Sequence, residues 1–422
     1  MDPSIPPQPK AILRGHKAQV HAAVFIRNNE RLVTADADGY LIVWDLSIMR
    51  PKAVWRAHQK TVLGIKEWSP ERLVTHGRDH ELIIWKFSEE DEPKLSKAPP
   101  LDNVPDRPKP WIQHVLAVNS MNFCSFAMAS CKADQSISES DEVLVAAANP
   151  VILEGVDIYH LPSQRRIHTL KPLPGAGMPM ALSIFHLYGS LHLITAYENG
   201  AAVVQRANLD AGEWITLYKH QAHSQPILSF DVSPCFSYFI TSSADAIIAK
   251  HPIPQDGAPS SSFPEDTEKD KGKAPEQKAH EPVTAPLKSV NTKHSGQQGL
   301  KIRSDGTIFA TAGWDSKVRV YSAKSLKEVA VLKWHQSGCY AVAFATINPA
   351  TSSSSALQIT SGPGNENGKA SESQRGQQVV SVSQSRSLAG FNIRDRRINQ
   401  ARTAHWIAAG SKDGKVSLWD IY

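Results

Sequence analysis

Along most of the chain, apolar and polar residues alternate with a period of two, in short runs separated by polar turns. The clearest case is LVTADADGYLIVWD (32–45), where two alternating runs flank Asp38-Gly39, and Asp413-Gly414 sits in the same setting near the end. Asp-Gly between such runs is a hairpin signal, because both central residues of the turn take positive φ. The pattern predicts short antiparallel strands, and hence an all-β protein.

The strands carry a recurring phrase: a Thr, an Asp or Asn four residues on, and an aromatic residue six further. It reads Thr34, Asp38, Trp44, then Thr75, Asp79, Trp85, and later Thr311, Asp315, Tyr321. Partial copies stand at Thr195/Asn199 and Thr241/Asp245, and in the last copy, Asp413 and Trp419, Ala409 replaces the Thr. A His precedes each unit at His16, His58 and His223, and less regularly at His294 and His335. Asp38 and Asp79 are 41 residues apart, inside the range of a four-stranded propeller blade. The run KAVWR (52–56) supplies an outer strand.

These residue types suit a buried chain of hydrogen bonds running across three strands, stable only when every member is paired. Blade 1 offers His16, Thr34, Asp38 and Trp44, and blade 2 offers His58, Thr75, Asp79 and Trp85. A catalytic His/Asp/Thr relay would occur once, not at a fixed period, so these residues are assigned to structure. No catalytic, cofactor-binding or metal-binding set is expected.

The ruler gives seven blades in a single propeller over 1–422. Blade 3 (roughly 119–170) is degenerate, with strands at 143–148 and 156–160 but no Asp in the turn. Blade 4 uses 193–205, blade 5 uses 239–251, blade 6 uses 300–332, and blade 7 the remainder. Blade 7 lacks a fourth strand, and Lys10–Arg14 has no blade of its own. Their pairing would close the ring and remove an exposed edge.

Three stretches break the period: 88–109, 252–282 and 349–403, the last with Arg394, Arg396, Arg397 and Arg402. Their Pro-, Ser- and charge-rich composition predicts disordered insertions. Excising the second leaves 39 of the 70 residues between Asp245 and Asp315, and excising the third leaves 43 of the 98 between Asp315 and Asp413, which restores the period. All three fall at turns on one face of the disk. The opposite face is left open for a partner, and the residues before each turn Asp or Asn should line it: Ala37, Arg78, Glu198, Ala244, Trp314 and Lys412. Arg78 and Trp314 are residue types enriched at binding hot spots. The competing expectation for Trp314 is an indole folded over its own blade.

Charge and cysteines change this picture little. Forty-six basic and 41 acidic residues give a net charge of +5, too mild and too scattered for a nucleic-acid footprint. No run of 18 apolar residues predicts a membrane span, and MDPSIPPQPK lacks the apolar region of a signal peptide. Cys124, Cys131, Cys235 and Cys339 lack the spacing of a zinc site or disulfide framework and read as small core residues in a reducing compartment. GPGNENGKA (362–370) fails as a phosphate loop, with wrong glycine spacing and Ala after Lys369. No HExxH or GxSxG motif is present.

The Gly-His and Trp-Asp landmarks of the first and last units resemble the WD-repeat family. The whole chain resembles one group within it, the fungal ASTRA-associated protein 1 family. The residues that carry this are PKAILRGHKAQVHAAVFIRNNERLVTADADGYLIVWDL, WRAHQKTVLGIKEW with LVTHGRDHELIIW, the long loop before PWIQHVLAVNSMNF, and the ending WIAAGSKDGKVSLWDIY. The resemblance implies a non-catalytic nuclear subunit of the ASTRA complex, linked to chromatin remodelling and to assembly of phosphatidylinositol-3-kinase-related kinases. It further implies HEAT-repeat co-chaperones and AAA+ ATPases as partners, with the chain as a monomer within a hetero-complex and no direct contact with nucleic acid or membrane. The alternatives are a ubiquitin-ligase adaptor and a Gβ-like signalling scaffold. Neither Trp-Asp is followed by the Arg common in adaptors, and the Pro-rich residues 1–10 cannot form the helix a γ partner needs.

Overall fold

The computed structural model describes residues 7–100, 107–118, 123–171, 173–208, 212–255, 282–347 and 392–421. They form seven four-stranded antiparallel sheets. Blade 1 is Val20–Ile26, Arg31–Asp36, Tyr40–Asp45 and Arg50–Arg56, and blade 2 is Val62–Ser69, Arg72–Gly77, Glu81–Lys86 and Trp111–Ala117. Blade 3 is Ala127–Ser130, Val143–Ala148, Val156–Leu161 and Arg165–Leu170, and blade 4 is Pro179–Leu187, Ser190–Tyr197, Ala201–Asn208 and Glu213–Gln221. Blade 5 is Ile227–Val232, Tyr238–Ser243, Ile247–Pro252 and Lys288–Asn291, and blade 6 is Gln297–Ile302, Ile308–Gly313, Lys317–Ser322 and Glu328–Lys333. Blade 7 takes Cys339–Phe344, Trp406–Ser411 and Lys415–Asp420 from one end of the chain and Ala11–Arg14 from the other.

The closing strand runs antiparallel to the last one, with Ala11 opposite Leu418 and Arg14 opposite Lys415. The Lys10 N–H adds a bond of 2.7 Å to the Leu418 carbonyl, and Leu13 is buried between blades 7 and 1.

Each blade is apolar on both faces, so the cores lie between neighbouring blades. Trp55, Trp85 and Phe87 fill the space between blades 1 and 2, and Trp44 with Trp406 the space between 7 and 1. In six blades the first strand shifts register by one residue near its start, as between Val20 and Ala22 or Val62 and Gly64. Such bulges add local twist, and blade 3 lacks one.

The insertions fall at the turns the period predicts, but their chemistry is not all as expected. Residues 88–100 are structured. Glu92, fully buried, accepts from Arg31 Nε at 2.9 Å and also pairs with Arg27, while Lys52 lies 3.8 Å away. Leu95 enters the core between blades 1 and 2, and the Ser96 carbonyl accepts the Val54 N–H at 2.7 Å, capping the edge of blade 1. A charged, Pro-rich segment with few aliphatics is thus held by buried ion pairs supplied by blade 1.

The end of the third insertion is an α-helix, Ile393–Thr403. Its Ala401 is buried against Trp406, whose indole N–H donates to the Ala401 carbonyl at 3.0 Å. Arg402 Nε reaches Glu30 at 2.8 Å. Buried Asn29 pins both stems of the insertion, donating to the carbonyls of Thr346 (2.7 Å) and Arg402 (3.2 Å) and accepting from the Thr346 N–H (2.9 Å). Residues 101–106, 256–281 and 349–391 of the expected insertions lie outside the described residues.

The ring depends on its closing strand. Deleting residues 1–14 exposes the edge of the last blade and the pocket of Leu13, a loss of about 3 kcal/mol or more. The thermal midpoint, followed by differential scanning fluorimetry, should fall by roughly 5 °C or more, and an unchanged midpoint would show that the strand contributes nothing.

Candidate functional site

In blades 1 and 2 the expected His precedes the first strand, the Thr lies on the second, the Asp in the turn after it and the Trp on the third. In blade 2 the set assembles as anticipated. Trp85 Nε1–H donates to Thr75 Oγ1 at 2.9 Å, Thr75 Oγ1 lies 2.7 Å from His58 Nε2, and His58 Nδ1 lies 3.0 Å from Asp79 Oδ1. The carboxylate can only accept, so Nδ1 of the neutral imidazole carries the proton, Nε2 accepts from the Thr hydroxyl, and the hydroxyl oxygen accepts the indole N–H. Burial works to raise the Asp79 pKa, but the bonds from His58 and the Gln59 N–H override it and hold the carboxyl below its usual range.

Blade 1 differs from expectation. His16 Nδ1 bonds to Asp36 Oδ2 at 2.8 Å, not to Asp38, while His16–Thr34 (2.7 Å) and Trp44–Thr34 (2.8 Å) complete the chain. Asp36 Oδ1 also accepts the N–H groups of Asp38 and Tyr40, and Asp38 is exposed. The reason lies two residues after the Thr. Blade 2 has Gly77 there, and a Cβ at Gly77 would stand 2.4 Å from Asp79 Oδ1. Asp79 therefore reaches back across the glycine, whereas in blade 1 the carboxylate already sits at that position.

Blades 3, 5, 6 and 7 build their polar sets from different residues, and the buried hydroxyls of Thr195 in blade 4 and Thr311 in blade 6 have no hydrogen-bond partner among the described residues. In blade 5, His223 joins Asp245 and Thr241, and His251 takes the place of Trp, with the Tyr218 hydroxyl 2.7 Å from its Nδ1. In blade 6, Arg319 takes the role expected of His294 and binds Asp315 with two nitrogens at 2.6 and 3.1 Å. In blade 7, Ala409 lacks a hydroxyl, and Ser417, directly opposite it, bonds His335 and Trp419 instead. In blade 3, Asp157 on the third strand gathers Asn149 and Thr169. His58, Asp79 and Glu81 bring three possible metal ligands within 4.8 Å of one another, but His58 Nδ1 and both Asp79 oxygens are engaged in the network.

Of the residues expected to line the open face, Lys412 is exposed and Arg78 half-buried, its guanidinium 4.7 Å above the ring of Phe123. Trp314 is 48 % exposed yet leans on its own blade: its Nε1–H donates to Gln298 Oε1 at 2.7 Å, and a Cβ at Gly296 (φ +71°) would meet the indole at 2.1 Å. Of the cysteines, Cys124 and Cys339 are buried, but Cys235 is exposed on a turn, so the expectation of a core residue fails there. His76, which no motif in the sequence singles out, is fully buried beside Phe126 with neither ring nitrogen bonded.

Two outcomes follow for stability. Asp36→Asn breaks a buried charge-assisted pair and should cost about 2–4 kcal/mol, whereas Asp38→Asn should cost under about 0.5 kcal/mol; urea unfolding of both distinguishes this from the reverse order. Burial, followed by the neighbouring His58, drops the His76 pKa from 6.5 to about 3, so the folded state keeps it neutral. Its stabilisation is complete above pH 6.5 and is lost as pH falls below it. Between pH 7 and 5 the wild type should lose about 2 kcal/mol more than His76→Leu, and parallel losses in the two proteins would refute this.

Comparison with known proteins agrees with this geometry. The family described as WD domain, G-beta repeat matches residues 7–45, 214–249, 286–322 and 398–420. Over its full length the chain is 44 % identical to the ASTRA-associated protein 1 of Pyricularia oryzae, of which 98 % is covered. It is 47 % identical to that of Verticillium alfalfae over 99 % of this chain and 93 % of the relative. With that of Schizosaccharomyces pombe it shares 33 % identity over 80 % of this chain and 93 % of the relative. The chain belongs to the ASTRA-associated protein 1 family of WD-repeat propellers.

Proposed function

We propose that this chain is a non-catalytic scaffold subunit of the ASTRA complex in the nucleus, acting in chromatin remodelling and in the assembly of phosphatidylinositol-3-kinase-related kinases. HEAT-repeat co-chaperones and AAA+ ATPases are its partners in this reading. The observation that carries it is the full-length similarity to proteins of that name. The use of the recurring polar residues supports it. His16, His58 and His223 are each bonded on both ring nitrogens within their blades, which leaves them no capacity for chemistry on a substrate. The partner surface is the face free of long insertions, around Arg78 and Lys412. Trp314 contributes through its exposed half, the other half being held by its own blade.

Affinity purification of the tagged full chain with mass spectrometry should recover HEAT-repeat co-chaperones and AAA+ ATPases, whereas a cullin–adaptor core in their place would overturn the reading. Recovery should drop at least tenfold for Arg78→Glu combined with Lys412→Glu, and stay unchanged for Ile48→Ala on the insertion-bearing face. Equal recovery from both variants would show that the partners use another surface.

A further inference from the structure

Six blades place three residues between their second and third strands: 37–39, 78–80, 198–200, 244–246, 314–316 and 412–414. Blade 3 places seven, 149–155, reading Asn-Pro-Val-Ile-Leu-Glu-Gly. Val151, Ile152 and Leu153 are 82, 45 and 46 % exposed, and Phe123, on the connection leading into the same blade, is 54 % exposed. Scattered single apolar residues on a surface need no explanation, but a cluster of them does.

This ledge is built rather than slack. Asn149 Oδ1 accepts the N–H groups of Val151 and Ile152, both at 2.7 Å, and the Gly155 N–H closes on the Ile152 carbonyl at 2.8 Å. Asn149 Nδ2 donates to fully buried Asp157 at 2.9 Å, and Thr169 donates to the same carboxylate oxygen at 2.7 Å. The polar set that replaces the usual network in blade 3 thus presents aliphatic side chains to solvent in a fixed arrangement, which lowers the ordering cost of binding.

Charge complementarity sets the chemistry of the occupant. Arg78 stacks on Phe123 at the edge of the ledge, and no ion pair joins it to a carboxylate among the described residues. Lys60, Lys17 and Lys412 continue the positive side around blades 2, 1 and 7, all exposed. Asp79 and Asp413 on this arc are engaged by His58 and Lys415, which leaves Asp38 and Glu81 as its exposed carboxylates.

We propose that blades 2 and 3 hold the docking site for a protein segment carrying an acidic residue beside apolar ones. Its apolar side chains rest on Val151, Ile152, Leu153 and Phe123, and its carboxylate pairs with Arg78. This rests on the reading of the open face as the partner surface. The positive side alone would suit a phosphate backbone, but the exposed aliphatic side chains of Val151, Ile152 and Leu153 match apolar side chains, which makes the occupant protein rather than nucleic acid.

The test uses the full chain in its cells, with p-benzoylphenylalanine replacing Phe123, Ile152 or, as a control on the opposite face, Tyr188, which is 74 % exposed. Cross-linking from positions 123 and 152 should reach one partner segment with Asp or Glu adjacent to Leu, Ile, Val, Met or Phe, and position 188 should not reach it. Arg78→Glu should lower recovery of that partner at least tenfold, with Arg78→Lys intermediate and thermal midpoints unchanged. Partners retained by Arg78→Glu with no cross-links from 123 or 152 would sink the ledge and leave the scaffold role intact. Cross-links to nucleic acid, or to a segment without acidic residues, would also overturn it. A chain purified without any partner would refute both this and the scaffold reading.

Discussion

A propeller blade buries both faces, and only its two neighbours can cover them. Seven blades give seven interblade cores only when the ring closes, so every other contact presupposes the junction between the ends of the chain. Here that junction is four residues long, Ala11–Arg14 against the final strand, with Leu13 buried behind it. The blades can vary because closure fixes the frame, and one of them, blade 3, varies a great deal.

Within the frame, the recurring constraint is that a buried donor needs an acceptor. The constraint fixes a site in space, and different residues reach it. The carboxylate comes from Asp36 in blade 1 and from Asp79 in blade 2, depending on whether an Asp or a Gly stands two residues after the Thr. The hydroxyl comes from Thr75 on the second strand or Ser417 on the third. A His is replaced by Arg319, and a Trp by His251. Each replacement keeps some of the bonding and loses the sequence signature, which is why the middle blades are faint to pattern reading.

The same logic separates structure from function. Side chains that answer one another inside a blade have no capacity left for a ligand. Those that the blade does not use, such as Arg78 and the aliphatics of 151–153, stand on the one face that the long insertions avoid. The first and third insertions are anchored to the opposite side by the Glu92 cluster and by Asn29, so their presence there is part of the architecture.

The strand pattern and the 41-residue spacing were enough to determine seven blades, the closing strand and the turns that carry insertions, because alternation and turn chemistry are local. Blade 2's network was legible for the same reason: all four residues sit in their expected places. Asp36 in place of Asp38, the helix at 393–403 and the ordered run at 88–100 were not legible. Each depends on a partner distant in sequence: His16 for Asp36, Trp406 and Glu30 for the helix, and Arg31 and Val54 for the run. The blade 3 ledge was hidden in the same way, since nothing in PVIL says whether it is core or surface. Sequence set the ruler, and tertiary structure decided which polar atom meets which, because hydrogen bonds are satisfied in space and not along the chain.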